Sequence, residues 1–295
     1  MSTYYVTPLF CSQGMIYLLL AGIAVLILVV VYFATPKIPI VTSKNLFQKP
    51  SLKLSVIIPC YNESDRLHLC TDDIIKCLPT FDIPIKDIEF IFVNDGSKDD
   101  SLEKLKAIKT EHTDWNVVIL NLPKNRGKGY GVRHGMFHAK GSYLMYMDSD
   151  AAASFGAVKI LWDPKYDVVI GSRAHLMKES LIKRSFIRSV LMYCFHLFVY
   201  TFGVRSIKDT QCGFKLFKRK AAQLIFKNAR IDRFLFDVEL ILIAEYFGLK
   251  LKEVGIPWNE VPGSKMSIIK DSLKMAYDLI ILRFGIILKI RSINK

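Results

Sequence analysis

Short apolar runs alternate with longer amphipathic segments over the first half of the chain. Runs of strand length, followed by turn-forming residues, lie at 54–59, 87–93, 116–121, 143–147 and 167–171. Segments with helical spacing lie between them, at 65–78, 101–109 and 127–138. Strands that alternate with helices predict a mainly parallel sheet covered by helices on both faces. We therefore expect an α/β domain here.

The apolar run 143–147 ends in two acidic residues, Asp148 and Asp150, with one small residue between them. Ligands of open parallel sheets bind beyond the carboxyl ends of the strands. Two neighbouring carboxylates repel each other, and a divalent cation with phosphate oxygens on its far side relieves that repulsion. The pattern thus predicts a metal and phosphate site, with a solvated turn as the alternative.

Polar residues also follow two other predicted strands. Residues 59–63 follow the first strand and include Glu63, and Asp95 follows the second. Because the carboxyl ends of parallel strands lie side by side, these residues should converge with the acidic pair. Asp95 can accept hydrogen bonds from a base edge or a ribose hydroxyl, or it can cap its turn. Lys128 lies between two glycines, where the backbone leaves room for a ligand, although 125–131 can also be a flexible loop.

Residues 15–34 form an apolar stretch without a charged side chain, long enough as a helix to cross a bilayer. A signal peptide fits less well, because no Lys or Arg precedes the stretch and no clear cleavage site follows it. Lysines follow the stretch, and the positive-inside rule then places the remainder of the chain in the cytosol. We expect a luminal segment at 1–14, a transmembrane anchor at 15–34, a linker at 35–53 and a cytosolic domain at 54–262.

The formal net charge of +14 is concentrated around a second apolar segment. Basic residues flank 185–204, which is typical of a helix that lies in a membrane interface and meets lipid phosphates. A second spanning helix and a buried core helix are the alternatives. No nucleic-acid-binding motif accompanies the charge, so we expect no nucleic-acid partner. The C-terminal segment 263–295 contains an amphipathic stretch at 272–290, which predicts a membrane-associated helix that spans or lies on the bilayer.

Four motifs occur in a characteristic order: IIPCYNE, VNDGSKDDS, NRGKGYGVRHG and MDSD. Together they resemble the family 2 glycosyltransferases, which have a nucleotide-sugar-binding α/β fold of the glycosyltransferase A type, use a DxD metal site and invert the anomeric centre. Later segments, including DTQCGFKLF and PWNEVPGSKM, are similar to a branch of that family. That branch transfers glucose from UDP-glucose to dolichyl phosphate during assembly of the N-glycan precursor. The resemblance extends over most of the chain after residue 54.

The resemblance implies a role for each matching position. It assigns the metal, Mg²⁺ or Mn²⁺, to Asp148 and Asp150, and it places Arg173 near the phosphates as a catalytic residue. It assigns the acceptor phosphate to Arg188 and Lys215, and it leaves Asp237 as either a catalytic group or a residue of a helix opening. Donor contacts are implied for six residues: Pro59, Tyr61, Glu63, Asp95, Lys128 and Asp148. One departure is visible, because Ala151 stands where relatives often have glycine.

The same resemblance implies a single-pass protein of the endoplasmic reticulum membrane, in contact with its lipids and with the catalytic domain on the cytosolic side. Oligomer formation is left open. A mannosyltransferase that uses GDP-mannose and the same lipid acceptor is the nearest alternative. A processive polysaccharide synthase fits less well, since no QxxRW segment is present. A catalytically silent membrane scaffold that binds a nucleotide is the alternative outside the enzymes.

Overall fold

A computed structural model of the chain describes residues 9–37, 43, 45–173, 198–201, 203–259, 261, 268–288, 291 and 293. The strands are β1 (Leu52–Cys60), β2 (Ile88–Asn94), β3 (Asn116–Asn121), β4 (Gly141–Met147), β5 (Val168–Ser172), β6 (Phe214–Lys218) and β7 (Leu251–Gly255). The helices are α1 (Leu9–Ala34), α2 (Leu67–Cys77), α3 (Ser101–Glu111), α4 (Lys128–His138), α5 (Val158–Leu161), α6 (Arg219–Asn228), α7 (Phe236–Tyr246) and α8 (Ile268–Ile287).

The strands form one sheet in the order β3-β2-β1-β4-β6-β5-β7. The pairs β1–β2, β1–β4, β2–β3 and β5–β7 are parallel, which confirms the predicted α/β fold with a mainly parallel sheet. Strand β6 is antiparallel to both of its neighbours, β4 and β5. The sequence pattern did not predict β6, because two lysines interrupt its apolar residues.

The sheet separates two apolar clusters, as expected for strands buried on both faces. In β1, Ile57 belongs to the cluster that includes residues of α4, α6 and α7. Its neighbours Val56 and Ile58 belong to the other cluster, which includes residues of α2, α3 and α5. The alternation of side chains along a strand explains this division. The carboxyl ends of the central strands are therefore held by a core on each side.

The apolar stretch predicted at 15–34 lies within helix α1, so its helical structure is confirmed. Over the described residues, however, no helix was found to have both the length and the apolar character that a membrane span requires. The predicted transmembrane anchor is therefore unsupported. Helix α1 exposes large apolar side chains, among them Leu26 at 62% and Phe33 at 80%. The predicted luminal segment lies mainly outside the described residues.

The other two predicted membrane segments have different outcomes. Of 185–204, residues 198–201 are helical, and 185–197 and 202 lie outside the described residues. The amphipathic helix predicted at 272–290 is confirmed as α8, which begins and ends a few residues earlier than expected. Helix α8 packs near the C-terminal end of α1, where a Cβ on Gly285 would lie 3.2 Å from Thr35 Oγ1. Whether these segments contact lipid stays a prediction.

Candidate functional site

Three neighbouring parallel strands end together at one edge of the sheet. The last residues of β1 and β2, Cys60 and Asn94, are register partners. Strand β4 lies on the other side of β1 and ends at Met147, directly before Asp148. The polar residues that follow these strands, including Glu63 and Asp95, are thereby brought to the same edge, as the sequence analysis predicted.

The acidic loop after β4 turns at a residue with unusual backbone geometry. Ala151 has a φ of 55°, in the left-handed region that favours glycine. The turn lets Asp150 Oδ1 accept a hydrogen bond of 3.1 Å from the Ala152 amide. The position at which the chain departs from its relatives is thus one where the backbone conformation suits glycine best.

Cations lie beside both acids of the loop. Lys128 Nζ forms an ion pair with Asp148 Oδ1, and Arg66 Nη1 lies 3.7 Å from Asp150 Oδ2. Arg66 also donates two hydrogen bonds of 2.8 Å to the carboxylate of Glu63. Burial, followed by the negative charge of Asp148, raises the pKa of Asp150. The two carboxylates therefore repel each other electrostatically, and the site favours a cation.

The donor set of the acidic loop fits a hard divalent metal ion. Among the described residues, no group of three or more His, Cys, Asp or Glu side chains gathers into a closed metal site. Asp148 and Asp150 would supply two carboxylates and leave further positions for phosphate oxygens and water. Mg²⁺ is commonly bound in this way, through one or two carboxylates and the phosphates of its substrate.

Lys128 is the first residue of α4, so its side chain starts from a helix N-terminus at the edge of the sheet. Burial alone would lower the pKa of Lys128, but the charges of Asp148 and Asp237 outweigh it and raise the pKa. The amine therefore stays protonated. The preceding Gly127 has a φ of 106°, and a Cβ there would lie 2.5 Å from the Asp232 carbonyl oxygen. The glycine lets this loop pack against residues 231–233.

Asp95 supports the loop that carries Lys128. Its carboxylate accepts hydrogen bonds from the backbone amides of Arg126, at 2.7 Å, and Gly127, at 2.8 Å. The Asn125 side chain donates a third, of 2.9 Å. Burial raises the pKa of Asp95, and these backbone hydrogen bonds act in the opposite direction. In this structure the predicted nucleotide contact therefore shapes the loop beside the site.

Pro59 and Tyr61 lie at the end of β1, and Tyr61 is half-buried. The next residue, Asn62, has a φ of 53° and links this end to the loop after β2. Its backbone amide donates to Ser97 Oγ at 2.9 Å, and its side-chain oxygen accepts from the Lys98 amide at 2.7 Å. The two loops at this side of the site are thus tied together.

A buried polar group lies directly beneath the acidic loop. Asp237, in the first turn of α7, accepts hydrogen bonds from the Tyr146 hydroxyl and from Lys215 Nζ. Lys215 is fully buried and also donates a hydrogen bond of 2.7 Å to the Cys212 carbonyl oxygen. Lys215, predicted to contact the acceptor phosphate, therefore directs its ammonium into the core here, because Asp237 and the Cys212 carbonyl hold it there. Asp237 faces the same buried group.

Two contributors to the site were missed by the sequence analysis. In the sequence, Tyr146 looks like an ordinary core residue of an apolar strand. Its hydrogen-bond partner, Asp237, is 91 positions away, so no local pattern indicates the contact. Gly213 carries no side chain to suggest a role. A Cβ on Gly213 would lie 2.2 Å from Asp148 Oδ2. The segment DTQCGFKLF, which resembles the family, was the sequence feature that could have indicated a role for Gly213. The carboxylate of Asp148 lies against this glycine.

Arg173 follows β5 and pairs with Asp209. Its Nε and Nη2 donate hydrogen bonds of 2.7 Å to the two carboxylate oxygens, and its backbone amide donates another of 2.8 Å. The guanidinium also lies 5.6 Å from the ring centre of Trp258. Burial would raise the pKa of Asp209, but Arg173 outweighs it and lowers the pKa. Arg188, the other predicted phosphate contact, lies outside the described residues.

Comparisons with known proteins identify relatives of the whole domain. The model of glycosyl transferase family 2 matches residues 55–226. A protein of Saccharomyces cerevisiae named dolichyl-phosphate beta-glucosyltransferase is 42% identical over 82% of this chain and 77% of its own length. Proteins of the same name are 39% identical in Dictyostelium discoideum, over 83% of this chain and 78% of theirs, and 37% identical in Homo sapiens, over 82% and 78%.

A solved structure shows the same fold. The mannosyltransferase PcManGT from Pyrobaculum calidifontis, in complex with GDP-Man and Mn²⁺, aligns with a TM-score of 0.52 and 17% identity over 88% of this chain and 73% of its own. The similarity supports a glycosyltransferase A-like α/β fold. Taken with the family match and with the identities to curated relatives, it leads to one conclusion. The chain belongs to glycosyl transferase family 2 and, within it, to the family of dolichyl-phosphate β-glucosyltransferases.

Proposed function

We propose that the protein transfers glucose from UDP-glucose to dolichyl phosphate with inversion, which gives dolichyl β-D-glucosyl phosphate. One observation carries the proposal: an acidic pair flanked by Lys128 and Arg66 lies at the carboxyl edge of the sheet. Carboxylates for a metal ion, with cations beside them, suit a substrate that carries a diphosphate. The family membership supports the acceptor and the sugar.

On the donor side, Asp148 and Asp150 would hold Mg²⁺ or Mn²⁺, which would supply positive charge to offset the charge that develops on the departing UDP. Lys128 adds a positive charge beside Asp148 and faces the diphosphate. Asp95 orders the loop of Lys128, and the ends of β1 and β2, with Pro59, Tyr61 and Glu63, form the nucleotide side. The chain's own groups therefore bind and orient the donor.

On the acceptor side, a phosphate oxygen of dolichyl phosphate attacks the anomeric carbon from the face opposite UDP. This nucleophile is already ionised near neutral pH, so a general base is not required. Arg173 and Arg188 reduce the repulsion between two anionic substrates. Asp237 is then a positioning residue, since Tyr146 and Lys215 hold its carboxylate inside the core.

Because the acceptor is a membrane lipid, the reaction takes place at a membrane. We assign the reaction to the cytosolic face of the endoplasmic reticulum. The exposed apolar side chains of α1 support membrane contact, because large apolar surfaces rarely stay in water. The amphipathic helix α8, which packs near the end of α1, is a further candidate for contact with the membrane.

A transfer assay tests the proposal. The full chain is incubated with dolichyl phosphate, Mg²⁺ or Mn²⁺, and radiolabelled UDP-glucose or GDP-mannose, and label extracted with the lipid is counted. We expect transfer from UDP-glucose only. Asp150→Asn should abolish it, whereas Asp72→Asn, an exposed change on α2, should retain it. Label from GDP-mannose alone contradicts the sugar assignment, and the absence of any transfer supports a silent scaffold. Full activity of Asp150→Asn contradicts the assigned metal site.

A further inference from the structure

A cavity lies away from the acidic pair, between the end of α1 and helix α8. Its volume is about 210 Å³. The residues that line it come from the end of α1 and the turn after it, from 230–233, from α8 and from Arg291. Nothing in the transfer reaction uses this cavity.

Arg291 is the most deeply buried charged residue among the described residues that line the cavity. Its side chain is 1% exposed, and its Nη2 donates hydrogen bonds to Glu239 and, at 2.9 Å, to the Asn228 carbonyl oxygen. The buried Nε and Nη1 atoms have no hydrogen-bond partner among the described residues. A buried guanidinium with two unused donors is costly unless an acceptor fills the space beside it.

Positive charge predominates in the lining. Among the described residues that form it, four are basic and two are acidic: Arg230, Arg233, Lys274 and Arg291 against Asp232 and Asp278. Both acids already have cationic partners, since Asp278 pairs with Lys274, and Asp232 pairs with Arg133 at 2.6 Å. The cavity therefore has an excess of positive charge, which an anion with several acceptor oxygens would balance.

The surroundings favour an anion that carries an apolar tail. Ile281 and Leu282 line the cavity beside the end of α1. Directly before that end, Tyr32 is 64% exposed and Phe33 is 80% exposed, and Ile287 at the end of α8 is 68% exposed. A lipid would place its phosphate among the arginines and its chains against these exposed apolar side chains.

The cavity is separate from the donor site but adjacent to its framework. Residues 230–233 form one of its walls. The carbonyl oxygen of Asp232 accepts a hydrogen bond of 3.0 Å from the Tyr130 amide, in the first turn of α4. Lys128 begins that same helix. A ligand in the cavity would thus contact the segment against which the donor-binding loop packs.

We infer that this cavity binds the phosphate group of an anionic membrane lipid, at a site separate from the acidic pair. The basic side chains of the lining, Arg230, Arg233 and Arg291, supply positive charge to the phosphate. The inference extends beyond the transfer reaction, and its test requires no turnover. A failed lipid-binding test would therefore leave the proposed transfer reaction intact, and a failed transfer assay would leave the lipid site intact.

The test measures thermal unfolding of the full chain in detergent with three probes: a short-chain phosphatidic acid, phosphatidylcholine of the same chain length, and inorganic phosphate. Phosphatidic acid at about a hundredfold above its Kd should raise Tm by roughly 4 °C. Phosphatidylcholine and inorganic phosphate should have little effect. An equal shift with inorganic phosphate overturns the lipid as the source, and no shift with phosphatidic acid overturns the site.

A matched pair of variants locates the response. Thr35 lines the cavity, so Thr35→Glu supplies a carboxylate that competes for Arg291, whereas Thr35→Gln adds a side chain of the same size without the charge. We expect the response to phosphatidic acid to be lost in Thr35→Glu and kept in Thr35→Gln. Both leave the pair of Arg291 with Glu239 intact, so folding should survive, as Tm without lipid will show. A response of Thr35→Glu equal to that of the wild type overturns the inference.

Discussion

Asp148 depends on a neighbour that has no side chain. Its carboxylate lies against Gly213, the residue directly before β6, where a Cβ would come within 2.2 Å of Asp148 Oδ2. Lys215 holds the same turn from below through the Cys212 carbonyl oxygen. The position of one predicted metal ligand is therefore set by a strand that is distant in sequence.

Gly213→Ala should displace the Asp148 carboxylate without a large effect on folding. Because a displacement of about 1 Å in a catalytic group can cost on the order of a hundredfold in rate, we expect a loss of that size, together with a higher metal concentration for half-maximal activity. Transfer assays over a metal titration measure both. Gly131→Ala is the control, since its Cβ would meet no described atom closer than 3.7 Å. An unchanged metal requirement in Gly213→Ala would contradict this view of the site.

Ala151→Gly should stabilise the acidic loop. A left-handed backbone costs an L-residue about 1 to 2 kcal/mol, and glycine avoids this cost. The greater freedom of glycine in the unfolded chain opposes this gain by about 0.5 to 1 kcal/mol. We expect the free energy of unfolding to rise by roughly 0.5 to 1 kcal/mol in denaturant titrations. Ala152→Gly, next to it and buried, should lower stability by a similar amount. A loss of stability in Ala151→Gly would show that the strain argument fails.

At the scale of elements, the first half of the domain was predictable from sequence. Strands β1 to β5 and helices α2 to α4 have local apolar patterns with turn residues at their ends, and each was predicted to within a few residues. Strand β6 was not predicted, because its buried Lys215 looks like a surface residue until Asp237 is placed beside it. The buried contacts of Tyr146 likewise depend on tertiary pairing that no local pattern contains.

The pair of Arg173 and Asp209 should make stability depend on pH in acid. The pKa of Asp209 is lowered in the folded chain, so its contribution is fully present above the unfolded value, near pH 4, and is lost as the pH falls through the folded value. We expect Asp209→Asn to lower the free energy of unfolding by about 1.5 to 3 kcal/mol at neutral pH. The difference from the wild type should shrink below about pH 4. Denaturant titrations at several pH values measure it, and a difference that grows in acid would contradict the assignment.

At the scale of the whole molecule, apolar and basic surfaces occur together. Helix α1 exposes a series of large apolar side chains, and the chain as a whole carries a formal net charge of +14. Apolar burial is insensitive to salt, whereas the attraction of basic residues to anionic lipid is screened. The two contributions to the proposed membrane binding can therefore be separated by experiment.

In the proposed membrane-bound state α1 would hold the protein by apolar contact, so we expect the protein to remain with membranes in high salt. Replacing Leu26 and Val29, both exposed on α1, with glutamate should release it. Loss of two apolar side chains from lipid costs about 3 to 6 kcal/mol, which corresponds to a change in partitioning of roughly a hundredfold or more. Sedimentation of membranes followed by detection in both fractions measures this. Ile160→Glu, a change at an exposed apolar residue of α5, should have no effect. Release of the wild-type protein from membranes by salt alone would show that the basic residues, and not α1, hold it there.

The contact of Arg173 with Asp209 has an evolutionary consequence. Glu253 of β7 also accepts hydrogen bonds from the backbone amides of Lys208 and Asp209, at 2.8 and 2.9 Å, so the chain returns at 209 to the point it left at 173. These contacts fix the two ends of the segment between 173 and 209, and Val199, Val204 and Ile207 within it are buried in the core. Selection should therefore act jointly on the pair of Arg173 and Asp209 and on these three buried residues, because all of them set the position at which the chain returns before β6.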